Sequence, residues 1–373
     1  MATAEEARAA RDAKLDALHE QLTDAVDRLV SGDDWRRAIE FAAKFRTRSF
    51  SNSLLIARQH FAAFEAGRVP DPEPTYVAGY KQWQTLGRQV LKGQPGYMIL
   101  APVTGRFATT TPSDADSWRR LEKFEKPRAG EVVRSRMVGV RPAYVWDVSS
   151  TNGDAPVPEL SRPVLLEGQA PEGLWAGLAT VIAERGFAVC TVPDAAAIGG
   201  ANGVTNFTDR TVSVRADMDD LQKVKTLSHE LAHIDLGHEA RMGGDGWHRG
   251  IGEVEAESVA AMIGAAHGVD TSIYTLPYVS GWASSVKDKT AVEVVQATGE
   301  RVRKSASAIL DALPTVQLGG GDPPGLSREP RATERAARRD AERATTRATV
   351  AADAFAAEPA RRSPGRESVV RSL

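Results

Sequence analysis

The stretch at 225–238, KTLSHELAHIDLGH, restricts the chain more than any other feature. It places His229 and His233 four residues apart, with Glu230 directly after the first. Positions i and i+4 share one face of a helix, so both imidazoles can reach a common point while Glu230 leans over it. Leu227, Leu231, Ala232, Ile234 and Leu236 give that helix an apolar side, and Gly237 is placed to end it. Two histidines alone do not complete a metal site. Zinc in catalytic centres takes three protein ligands and keeps a fourth position for water. The single cysteine, Cys190, reads as a small buried apolar residue within GFAVCTV, so the remaining ligand has to be a histidine or a carboxylate.

Register downstream decides which. A pattern with a glycine three residues and a third histidine six residues after His233 fails, because those positions hold Leu236 and Glu239. Glu253 instead lies twenty residues after His233, in GEVEAESVAAMIGAAHG, a second helix expected over about 252–267. That is the spacing at which glutamate zincins bring in a ligand from the following helix. The reading assigns His229, His233 and Glu253 as Zn2+ ligands and Glu230 as general base on the water. Glu257 shares the face of Glu253 and is placed to orient a histidine ring, whereas Glu255 points nearly opposite. His238 and His248 read as solvated, His267 as a capping or surface residue, and Trp247 and Trp282 as packing residues.

With 373 residues the chain exceeds one compact domain. An α+β organisation of two domains is expected: 1–150, a Pro/Gly/Ser-rich linker at 151–172, a zincin-like domain at 173–313, and a disordered Arg/Ala-rich tail at 314–373. Residues 104–130, polar and charged, read as a flexible insertion. In the second domain GVTNF and TVSVR form a hairpin across TDR, and Asp217 is placed to cap the histidine-bearing helix. No apolar run reaches the roughly 18 residues needed to cross a bilayer, and the charged N-terminus lacks a signal-peptide core. A cytoplasmic location without a membrane partner is expected.

Charge is unevenly spread. Residues 34–150 hold 19 Lys+Arg against 11 Asp+Glu, whereas residues 151–316 hold 13 against 22. In the basic half, cations alternate with rings: Arg46, Arg48, Phe50, Asn52, then Tyr80, Lys81, Trp83, Arg88, Lys92 and Tyr97. Single-stranded DNA requires cations along its backbone and flat rings under unstacked bases. Arg46, Arg48, Asn52, Lys81, Arg88 and Lys92 are the candidate contacts.

Five blocks in fixed order, RSFSNSLLIARQ, YKQWQTLGRQVLKGQPGYMILAP, VWDVSST, LSHELAH and GEVEAESVAAMIGAAHGV, resemble the ArdC-like antirestriction proteins of plasmids, phages and actinobacterial genomes. The resemblance spans roughly residues 34–285. It departs from the family at TYVAGYKQW, where Trp-x-Thr is often found, and at Ser150, where a Gln is usual. The resemblance implies an N-terminal single-stranded-DNA-binding domain joined to a zincin-like metallopeptidase domain acting on an unidentified protein substrate. It also places the family's metal motif on His229, Glu230, His233 and Glu253. Two other readings stay open: a DNA-protecting module whose zinc domain is structural or inactive, and a regulatory ImmA/IrrE-like peptidase that cleaves a repressor.

Overall fold

The computed structural model describes residues 3–153, 169–241, 249–274, 276–277, 279–284, 286, 288–318 and 321–323. His248, Trp247, residues 154–168 of the expected linker and residues 324–373 of the expected tail lie outside these. The chain separates into two compact units, Met1–Gly325 and Leu326–Leu373. All described residues belong to the first.

Three helices open it: α1 (Ala4–Asp27), α2 (Gly32–Lys44) and α3 (Phe50–Glu65). Each begins at a hydroxyl cap, Thr3, Ser31 or Ser49, which accepts a first-turn N–H that has no partner within the helix. Next come β1 (Val77–Gly79), α4 (Tyr80–Thr85), β2 (Gln89–Val90), β3 (Tyr97–Thr109), β4 (Arg119–Arg120), β5 (Val132–Asp147) and β6 (Thr151–Asn152). The main antiparallel sheet has the order β1-β5-β3-β4, and β2 pairs with β6.

The 104–130 segment is not a loose insertion. It prolongs β3 and β5 into a ribbon paired from Tyr97↔Val145 to Thr109↔Val132, with a bulge at Val103/Thr104, and β4 folds back on its end. Its charges read as solvated in sequence, yet they pair with one another: Arg119 bonds Glu131 at 2.9 Å and also meets Glu125. Trp118 is buried beneath Arg134 and Arg136, which stand 5.0 and 4.8 Å over its ring.

Near its start, β3 meets α3 in place of another strand. The Asn52 carboxamide donates to Leu100 O and accepts from Leu100 N, both at 2.9 Å. Gln59 does the same for Met98, at 2.9 and 2.8 Å. Two side-chain amides therefore satisfy backbone groups that an unpaired edge would leave exposed.

The second half runs α5 (Leu174–Glu184), β7 (Ala188–Val192), β8 (Gly203–Asn206), β9 (Thr211–Arg215), α6 (Asp220–Asp235), α7 (His238–Arg241), α8 (Arg249–Ala266), α9 (Val279–Ala283) and α10 (Ala291–Ala312). Its sheet has the order β7-β9-β8, with the expected β8–β9 hairpin leaving β8 at the edge. Helix α6 begins at Asp220 and is capped by Asp219, whereas Asp217, expected as the cap, pairs with Arg215 at 2.6 Å. Cys190, expected to be buried, is exposed on the edge strand β7.

Residues from both halves share one interior, in which Leu18, Trp35, Phe50 and Leu55 pack with Leu178, Leu227, Val259 and Val295. Trp35 lies against Phe50 and Trp282, and its indole N–H donates to Ser258 Oγ on α8 at 2.8 Å. Gly299 of α10 faces the Phe50 ring, where a Cβ would stand only 2.3 Å from a ring carbon. Residues 315–318 and 321–323, expected as the start of a tail, strap this junction together. Leu318 N bonds Ala266 O at 2.7 Å, and Val77 N bonds Gly321 O at 2.8 Å. They read as part of a disordered tail because backbone pairing to distant segments leaves no trace in local sequence.

Replacing Asn52 by Ala would strip partners from both backbone groups of Leu100. The expected loss is about 2 kcal/mol, read as a lower denaturation midpoint with an unchanged slope. An unaltered midpoint would refute the edge-capping role.

Candidate metal centre and nucleic-acid face

Helices α6 and α8 bring His229, His233 and Glu253 together, and no other such donor group occurs among the described residues. The two Nε2 atoms are 3.0 Å apart, and Glu253 Oε2 stands 3.4 Å from His229 Nε2 and 3.9 Å from His233 Nε2. Ligands bound tetrahedrally at 2.0–2.2 Å lie roughly 3.4 Å from one another. The three atoms thus form a triangle of the size a small divalent cation needs, and Glu253 is half exposed, so one side faces solvent.

Each histidine is backed at its other nitrogen. His229 Nδ1 meets Glu257 Oε2 at 3.0 Å, and Lys225 Nζ holds Glu257 Oε1 at 3.0 Å. His233 Nδ1 meets His238 Nδ1 at 2.7 Å, and His238 Nε2 meets Glu255 Oε2 at 3.1 Å. Arg241 and Arg301 donate to Glu255 at 2.6 and 2.7 Å. His238, read as solvated in sequence, is therefore wholly buried. Gly237, at φ +63°, stops α6 and turns the chain so that the next side chain folds back onto it. Glu255 does point away from Glu253, but into this closed cluster. His267 is also buried, bonded to Ile263 O at 2.8 Å and Thr315 Oγ1 at 2.7 Å.

Glu230 is buried beside His229, and Thr205 Oγ1 on β8 donates to its Oε2 at 2.7 Å. Gly203 lets β8 pass close, since a Cβ there would stand 3.1 Å from Glu230 Oε1. Burial raises the Glu230 carboxyl above the ordinary range. A carboxylate shifted that way is better matched to taking a proton near neutral pH. For His229, burial opposes the charged form, but the bonds to Glu253 and Glu257 prevail and lift it to about 9. For Glu255, burial also opposes ionisation, yet His238, Arg241 and Arg301 hold it down at about 2.

Most of the expected DNA contacts are engaged inside the protein. Arg46 bonds Gln317 at 2.6 Å, and Arg48 bonds Val77 O at 2.6 Å and Asp322 at 2.9 Å. Arg88 bonds Thr151 Oγ1 at 2.9 Å, and Asn52 is spent on the edge of β3. Trp83 and Tyr97 are core residues. Lys81, Lys92 and Tyr80 remain on the surface. Tyr80 is joined there by two rings that were not anticipated: Trp146 at 6.1 Å, with Tyr144 a further 6.4 Å along. Tyr80, Leu91, Lys92, Gln94 and Trp146 line a groove of about 510 Å³. The missed signal was the two-residue spacing in AYVWDV, which sets Tyr144 and Trp146 on the same side of β5.

Metal uptake has to displace the His229 proton, so zinc affinity should rise about tenfold per pH unit from 7 towards 9 and then level. The metal-free protein should show the opposite trend. A histidine raised from 6.5 to about 9 contributes stability that is complete below 6.5 and lost as pH rises through 9. Zinc titration against a competing chelator, with melting curves of the metal-free protein, would check both. Affinity independent of pH over this range would refute the assignment.

No curated protein matches the chain. Two crystal structures of the antirestriction protein ArdC from the R388 plasmid resemble it at 18% identity and TM-score 0.41. The metal-free form covers 70% of this chain and 84% of its own, and the Mn(II)-bound form 78% and 97%. Residues 15–146 match the N-terminal domain of anti-restriction factor ArdC.

Proposed function

We propose that the protein is a single-stranded-DNA-binding antirestriction factor that carries a metal-dependent peptidase centre. The observation behind the peptidase half is the convergence of His229 Nε2, His233 Nε2 and Glu253 Oε2 on one point, with the buried Glu230 next to the first ligand. A divalent cation held there, with zinc the expected one, would polarise a scissile carbonyl. Glu230 would take the proton of the attacking water, and its bond from Thr205 fixes the carboxylate. The edge strand β8 carries Thr205 beside the site and offers backbone groups to an extended peptide.

For the DNA half, the support is the surface row Tyr80, Trp146 and Tyr144 with Lys81 and Lys92 beside it. Stacked bases and a nearby phosphate path are what such a row accommodates. Among the described residues no helix is long and apolar enough to cross a membrane.

Glu230→Gln should abolish peptide hydrolysis while zinc content and DNA affinity stay at wild-type levels. Hydrolysis surviving that change would remove Glu230 from the reaction. Antirestriction persisting without hydrolysis would assign protection to the DNA face alone.

On that face, Tyr80→Ala or Tyr144→Ala should weaken single-strand binding by about 1–3 kcal/mol, with the salt dependence preserved. Lys81→Glu with Lys92→Glu should flatten the salt dependence, by roughly 0.7 in the logarithmic slope for each phosphate that is no longer neutralised. Binding unchanged in all of these variants would place the DNA elsewhere.

A further inference from the structure

We propose that His238 and Glu255 are positioning residues that decide which nitrogen of His233 is free to hold the metal, and that the guanidinium groups of Arg241 and Arg301 set this choice from outside the centre. The inference rests on the metal-centre reading above and concerns the order of protons along one chain of contacts.

Two ring nitrogens 2.7 Å apart, His233 Nδ1 and His238 Nδ1, require one N–H and one lone pair between them. Which is which follows from the far end. Arg241 and Arg301 can only donate, and they bind Glu255 at 2.6 and 2.7 Å, so Glu255 is a carboxylate and can only accept. His238 Nε2, at 3.1 Å from Glu255, is therefore the donor. A ring with its proton on Nε2 keeps a lone pair on Nδ1, which accepts from His233 Nδ1–H. His233 is left with a lone pair on Nε2, the atom that faces His229 and Glu253.

The alternative gives His238 two protons. His233 Nδ1 would then accept, and its proton would sit on Nε2, pointing into the centre and blocking a ligand bond. Glu255 already answers two guanidinium charges, so its own charge is matched without one on His238. His229 donates from Nδ1 to Glu257, which Lys225 holds, and in the metal-free chain its Nε2–H, the proton that a metal would displace, points at the His233 Nε2 lone pair 3.0 Å away. One helix, α8, thus supplies a ligand in Glu253 and an orienting carboxylate for each histidine in Glu255 and Glu257. A metal-binding histidine usually rests directly on a carboxylate, carbonyl or water. For His233 a second imidazole stands in between and relays the accepting role of Glu255, the group that reverses the donor direction a guanidinium alone would impose.

Nitrogen-15 NMR of the histidine rings in the metal-free full chain reads the arrangement directly. The expected result is His233 protonated at Nδ1 and His238 at Nε2; His233 carrying its proton at Nε2 would overturn the proposal. Zinc affinity, measured by chelator competition, supplies the second arm. His238→Ala should lower it 10–100-fold. His238→Asn, whose carboxamide oxygen can stand where Nδ1 stood, should stay within about threefold of wild type, a rescue that simple filling of space would not give. Equal affinity in wild type and His238→Ala would also overturn the proposal. Should either variant fail to fold, the ring protonation of the wild-type chain still decides. Wild-type protein that takes up no zinc would instead remove the centre itself, and this inference with it.

Discussion

The burial of α8 is the constraint on which the rest of the structure depends. This helix packs against α2, α6 and α10, and Val254, Ala256, Val259, Ala260, Ala261, Met262 and Ile263 are all buried. Small side chains let the neighbours approach closely, and Gly264 continues this, with Tyr274 Oη 2.7 Å from where its Cβ would be. A helix enclosed in this way is a hostile place for charge, yet it carries Glu253, Glu255 and Glu257. Each is handled differently. Glu253 reaches the open side, Glu257 is neutralised by Lys225, and Glu255, with no exposure at all, is matched by two arginines and a histidine. Removing one partner of such a buried cluster leaves an uncompensated charge, which costs several kcal/mol. The geometry of the candidate metal centre is therefore inherited from a helix whose carboxylates the fold must satisfy in any case.

The same helix, with α10 beside it, ties the two halves of the chain together. Ser258 of α8 accepts the Trp35 indole N–H, while on α10 Glu300 accepts from Phe50 N and Arg303 donates to Arg46 O. A basic first half and an acidic second half suggest separable modules when charge alone is considered. Their apolar residues argue otherwise, because α2 and α3 bury Trp35, Ile39, Phe50 and Leu55 against helices that follow residue 249. A fragment ending near residue 150 would expose that surface to water.

How far the sequence could be read depended on the range of the interactions involved. The histidine helix, its glycine stop, the β8–β9 hairpin and the α8 helix all follow from spacing within a dozen residues, and each stands where periodicity places it. Glu253 was legible from its spacing of twenty residues after His233, and Glu257 because i and i+4 share a face. His238 was not, since nothing within its own segment shows that Arg301, more than sixty residues later, stabilises the carboxylate it rests on. Asn52 and Arg48 carried the right chemistry for DNA, but their partners, Leu100 and Asp322, are set by tertiary pairing.

Composition misled most where cations are concerned. A run of arginines after α2 looks like a nucleic-acid contact when nothing is known of what lies opposite. Here the strap of residues 315–318 and 321–323 lies opposite, bringing Gln317 and Asp322 to Arg46 and Arg48, so those charges serve to hold the strap in place. Arginine suits that task because its planar fork can bond a carboxylate and a backbone carbonyl at once, as Arg48 does. Lys81 and Lys92 have no such fork and are exposed, and an exposed cation is one that can meet a phosphate. A strand then completes the face: alternation along β5 turns Tyr144 and Trp146 outward and Val145 inward to the core, so the rigidity of the rings comes from the sheet that positions them.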